Sequence, residues 1–212
     1  MFHRYSSKAS IGAPSKKSFK GLKMDKISFD IYQGAQMSDT SQAEYQSLRD
    51  TIRERGTARL CAVLVGLIAW GALATALFIA HLSGGAALVP LLVLAGTFEI
   101  NFFVHTGVER IGRYVQVFYE ERAGAVGWET TAMRYGAAFP SGLDPLFSIV
   151  FAAAACLNFF TTVIAAERRP GWIALALVAH LAFGYRIVAA KRRAAAQRAL
   201  DLDRFRNIAT ER

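Results

Sequence analysis

The side chains able to do chemistry are concentrated in one stretch, Phe98 to Gln116, where Glu99, Asn101, His105, Glu109 and Gln116 stand among apolar residues. At about 100° per residue, Asn101, His105, Glu109, Gly112 and Gln116 fall on one side of a helix and form a continuous polar stripe. Glu99 projects away from it, toward the side shared by Phe103 and Arg110. Asn158, His180 and Arg186 add three polar groups in two other apolar blocks. Such residues support three chemistries. Glu99, Asn101 and His180 can tie helices together through hydrogen bonds that average about 0.6 kcal/mol in a membrane. Glu99, His105 and His180 can hold a proton, an ion or a small ligand in a cavity between helices. His105 and Glu109 can act as an acid and a base. A transition-metal site is the weakest reading, because the Glu/His spacing is neither E-x-x-H nor H-E-x-x-H. Glu109 and Arg113 have the i,i+4 spacing of an ordinary surface ion pair.

The elements that must position these groups are written in the composition. Hydrophobic residues make up 53% of the 212 positions, charged residues 19%, and the mean hydropathy is +0.26. The apolar residues form long blocks, the mark of membrane spans rather than of a soluble core. Four spans are expected, at about 60–82, 86–108, 143–166 and 172–190, in an all-α integral membrane protein built as a four-helix bundle. Pro90 falls in the opening turns of the second span, where its missing N–H is tolerated. Asp144 and Pro145 mark the start of the third, and Glu167-Arg168-Arg169-Pro170-Gly171 is a turn into the fourth. Counted along the spans, Glu99 and His180 lie near the midplane, Asn158 somewhat outward of it, and Arg186 about four turns from the outer end. His105 lies nearer the inner interface and Glu109 at it. Glu99 then has two partners within reach, His180 and Arg186.

Outside the spans the chain changes character. Residues 1–36 carry seven Lys/Arg against Asp25 and Asp30, and six of the seven lysines of the protein. This stretch has no apolar h-region and reads as a basic leader without structure of its own; Met37 opens a segment whose composition matches the remainder. Residues 37–59 are expected to form an amphipathic helix, entered through a capping box at Ser41-Gln42-Ala43-Glu44. Glu109 to Glu121 extends the second span, and the glycines at 124, 127, 136 and 142 break up the stretch beyond it. Trp128, Tyr135 and Phe139 in that broken part suit the headgroup level. The tail 191–212 is basic and Ala-rich.

Orientation is set by the Lys and Arg flanking the spans. Arg53, Arg55 and Arg59, then Arg110, Arg113, Arg122 and Arg134, then Lys191, Arg192, Arg193 and Arg198 share one side, against Arg168 and Arg169 on the other. Positive residues stay inside, so both termini are expected in the cytoplasm, against the anionic inner leaflet of a cell inner membrane. The Arg-, Ala- and Gly-rich composition suggests a bacterium by association. Cys61 and Cys156 form no spacing motif and serve as small hydrophobes. Nucleotide fingerprints, phosphate loops and nucleophile elbows are absent from the sequence, and it names no cofactor. No zinc-finger or RNP pattern accompanies the basic tails, so nucleic acid is not an expected partner. Ala62 and Gly66, and Ala72, Ala76 and Ala80, give small-x-x-x-small spacing that lets helices approach closely. The leading expectation is a non-enzymatic interaction or accessory subunit, with another membrane protein or a second copy as partner. Transport or proton coupling through Glu99 comes second, and a membrane-embedded enzyme using His105 and Glu109 third.

Overall fold

The computed structural model describes residues 39–81, 84–124, 127–138, 148–165 and 169–211. All regular structure among them is helical. The leader 1–36, Phe139, Asp144, Pro145, Glu167 and Arg168 lie outside the described residues. Helix α1 is Asp39–Ile79, α2 Val89–Val115, α3 Trp128–Ala138, α4 Ile149–Ala165 and α5 Pro170–Thr210. A 3-10 turn, Gly84–Leu88, leads into α2, and a π-helical segment, Gln116–Glu121, prolongs it. Among the described residues three helices are long and apolar enough to cross a membrane: α1, α2 with its π-helical extension, and α5. Helix α4 is apolar but 17 residues long, and 143–147, expected to lengthen it, are not described.

The sequence predicts two separate elements at 37–59 and 60–82; the structure has one helix of 41 residues. Gly56 is the weakest helix former at the junction, with Thr57 beside it. Its cost of about 1 kcal/mol does not break a helix whose neighbours are Arg, Glu, Ala and Leu. Ser41 does not act as the expected cap. The helix begins at Asp39, so Ser41 is a helical residue rather than the cap, and Asp39 supplies the negative charge that suits the first turn. Helix α5 likewise has 41 residues. A helix of that length rises about 60 Å, twice the ~30 Å hydrocarbon thickness. Half of α1 and half of α5 therefore stand clear of any bilayer they cross.

The apolar half is organised around Phe98, fully buried on α2. Its ring meets Phe151 of α4 edge-on at 5.3 Å and Phe183 of α5 edge-on at 5.8 Å, the arrangement aromatic quadrupoles favour. Leu91, Leu94, Ile187 and Ala190 complete this core. Helix α1 reaches it through Val63 and through Gly66. A Cβ at Gly66 would lie 2.2 Å from both Cγ2 and Oγ1 of Thr97, so the approach of α1 to α2 at that point requires glycine. On α4, Ala154 and Ala155 face the core while Ala152 and Ala153 face outward, as the 100° step between residues demands.

The stretch read as broken by glycines contains a helix, α3. Its first turn is held by a carboxylate from the π-helical segment. Glu120 accepts from the backbone N–H of Glu129 at 2.9 Å and of Thr130 at 2.7 Å, and from the Thr130 hydroxyl at 2.6 Å. Those are the N–H groups a helix start leaves unsatisfied. Gly127 makes the contact feasible: a Cβ there would come within 2.2 Å of the Glu120 carboxyl carbon.

Candidate functional site

The polar stripe of α2 lies between α1 and α5 and joins them. Arg59 Nη1 of α1 donates to His105 Nδ1 at 2.9 Å. Accepting at Nδ1 leaves the ring proton of neutral His105 on Nε2, which faces Glu109 Oε2 at 3.6 Å. Glu109 Oε1 in turn accepts from Arg198 Nη2 of α5. One line of side chains thus runs from α1 through α2 to α5. The expected Glu109–Arg113 surface pair is replaced by these contacts. Helix α5 brings Arg198 to Glu109, and Arg113 is buried rather than on the surface. A buried guanidinium needs acceptors, and Arg113 donates to Gln116 Oε1 at 2.8 Å and to Glu129 Oε2 at 3.4 Å.

Glu129 is the carboxylate α3 delivers to this cluster. It also accepts from Arg49 of α1 at 3.1 Å. Gly112 gives it room, because a Cβ there would lie 2.7 Å from Glu129 Oε2. Burial pushes the Glu129 carboxyl above its ordinary range, opposed by Arg113 and Arg49. Burial likewise lowers the Arg113 guanidinium from its ordinary value, opposed chiefly by Glu129. Further along, Gln116 Nε2 donates to Glu121 at 3.0 Å, and Arg206 of α5 grips the same carboxylate through Nη2 at 2.7 Å and Nε at 3.1 Å. This fork holds Glu121 below the usual carboxylate range and raises Arg206. Arg110 reaches Asp201 of α5 at 3.2 Å.

Within the apolar half the polar groups are fewer. Asn158 of α4 is 1% exposed. Its Oδ1 accepts from Trp70 Nε1 of α1 at 3.1 Å, and its Nδ2 lies 3.1 Å from His180 Nε2 of α5. His180 Nδ1 is 2.7 Å from the Ala176 carbonyl and so carries the ring proton, leaving Nε2 to accept from Asn158. Three helices are joined through one amide. Glu99 pairs with Arg186 Nη2 at 2.6 Å rather than with His180. The Arg186 guanidinium rests over Phe102 at 5.0 Å and Phe98 at 5.8 Å, a cation–π seat. Asn101 is fully buried, and both its amide oxygen and its amide nitrogen lack a hydrogen-bond partner. A groove of about 650 Å³ runs between α4 and α5, apolar along Ile149, Phe159, Leu177 and Leu181, with His180 at its wall.

The seven candidate residues are therefore distributed rather than gathered. Asn101, His105 and Glu109 follow one face of α2, Asn158 and His180 form a second tie, and Glu99 and Arg186 a third. Among the described residues no group of three or more His, Cys, Asp and Glu is placed to hold a metal ion. Compared with protein-family models, with curated proteins and with solved structures, the chain matches none. Sequence reasoning missed Trp70, Arg59, Glu120, Glu129 and Arg206 as members of these networks. Each sits on a different element from its partner, or beyond a break, where helical periodicity carries no signal.

Proposed function

We propose that this chain is a non-enzymatic accessory subunit of a bacterial inner membrane, with four spans and both termini in the cytoplasm. One observation carries the reading. Six of the seven polar residues best suited to chemistry, all but Asn101, bond to a side chain on another helix. Groups committed in this way position helices, and what they position is a set of polar helical extensions carrying exposed Trp128 and Tyr135. Helix α4 serves as the remaining span, its 17 residues standing at the lower end of the ~17–25 that cross a bilayer. The excess of arginine on the extension side supports a cytoplasmic placement.

The test combines topology with function. Cysteine introduced as Pro170→Cys should react with an impermeant thiol reagent from outside intact cells, whereas Gly136→Cys and Thr210→Cys should not. Gly136 suits the purpose because nothing lies within 4 Å of the position its Cβ would take. Glu99→Gln should remain folded and support near-normal growth and recovery of co-purifying protein. A folded but inactive Glu99→Gln would replace this reading with proton or ion transport, since an amide cannot titrate. The unpartnered Asn101 is the observation that favours that second reading.

A further inference from the structure

The Glu99–Arg186 ion pair is not enclosed by the fold. Its side chains are 48% and 30% exposed respectively. Glu99 stands about 15 Å of helix rise below Val89, and Arg186 about 24 Å below Pro170, both inside a ~30 Å hydrocarbon layer that α2 and α5 cross. Lipid cannot solvate such a pair, so charged residues at that depth face protein or water. Around Glu99 one face of α2 is uncovered: Leu92, Gly96, Ile100 and Phe103 are all exposed. Nothing lies within 4 Å of where a Gly96 Cβ would be, so a neighbouring helix could approach closely there.

We infer that this face is the contact surface for a second copy of the chain, related by a two-fold axis along the membrane normal. Charge complementarity points to a second copy. A two-fold axis keeps both copies at one depth and reverses the lateral order of each pair, so Glu99 of one chain faces Arg186 of the other. A laterally presented ion pair is in this sense its own complement. Gly96 sets the distance and Ile100 and Phe103 supply the apolar rim. This inference deepens the accessory-subunit reading and rests on it, by naming the surface and one partner.

The experiment uses the full chain with Cys61→Ala and Cys156→Ala, reconstituted in phosphatidylcholine/phosphatidylglycerol vesicles at low protein density. With Ile100→Cys, a short bismaleimide should trap a dimer, whereas Leu177→Cys, in the groove on the other flank of α5, should not. Gly96→Leu should lower that yield at least tenfold while helix content and melting temperature stay unchanged. Mixing the parent with the charge-swapped Glu99→Arg/Arg186→Glu chain separates a second copy from any other occupant. Each should cross-link with its own kind, and mixed pairs should fall well below their statistical share, because they set Glu99 against Glu and Arg186 against Arg. Absence of an Ile100 cross-link at any protein density, indifference to Gly96→Leu, or statistical mixing overturns the dimer. A different protein trapped at Ile100 from native membranes also overturns it, while leaving the accessory-subunit reading in place. That reading fails separately, through a Glu99→Gln chain that is folded, still cross-links at Ile100→Cys as the parent does, and is inactive.

Discussion

The two halves of this molecule are held together by different physics. In the apolar half the helices meet through shape: Gly66 against Thr97, and Phe98 between Phe151 and Phe183. Polar contacts there are few, and the Asn158 tie uses one amide to join three helices. In the extension half, α1, α2, α3 and α5 are laced by arginines: Arg49 and Arg113 to Glu129, Arg198 to Glu109, Arg110 to Asp201, Arg206 to Glu121. Hydrocarbon offers no hydrophobic drive between helices, so close fit must hold them there. Outside it, water competes for each ion pair, and a network is needed where a single pair would contribute little.

Disruption should therefore be graded from the first half to the second. Phe98→Ala removes the ring on which α2, α4 and α5 converge and should destabilise the protein by about 3–5 kcal/mol, read as a large drop in melting temperature in detergent. Gly66→Ala should cost about 1–3 kcal/mol, because the new methyl must displace Thr97 and with it the spacing of α1 from α2. Thr97→Ala in that background should recover part of the loss. A Gly66→Ala protein as stable as the parent would mean the two helices are not in this register.

Glu120→Ala removes the cap of α3 and should cost about 1 kcal/mol, confined to that helix. Amide exchange should accelerate over Trp128–Ala138 and stay unchanged around Phe98. The smallest effect is that of acid on the end of α5. Glu121 has a folded-state pKa below its unfolded value of about 4.3 because Arg206 holds it ionised. Its contribution is therefore present above that value and is lost as pH falls through the folded pKa. The carboxylate is about a third exposed, so the effect is discounted by solvent screening. Below about pH 4, exchange near Arg206 should accelerate before the apolar half responds.

Much of this contrast was legible in the chain. The long apolar blocks announced helices, three of which among the described residues are long and apolar enough to cross a membrane, and the 3.6-residue period placed Asn101, His105 and Glu109 together while setting Glu99 apart with Phe103 and Arg110. The fusion of 39–59 with the first span was not legible, because charge changes abruptly at Arg59 while helix propensity does not. Helix α3 was hidden because its first turn depends on Glu120, a residue on another element. The partners of the stripe were hidden for a related reason. Periodicity offers Glu109 the Arg113 of its own helix and says nothing of Arg198, which α5 brings to it.

If the polar stripe ties helices together, a double-mutant cycle across Glu109 and Arg198 tests it most directly. Glu109→Gln, Arg198→Gln and the double variant would be unfolded in detergent beside the parent. A coupling of about 0.5–1 kcal/mol is predicted, with each single variant less stable than the parent and the double variant losing less than the sum. Zero coupling, with Glu109→Gln folded, as stable as the parent and inactive, would contradict the tie and make Glu109 a residue of chemistry rather than of architecture.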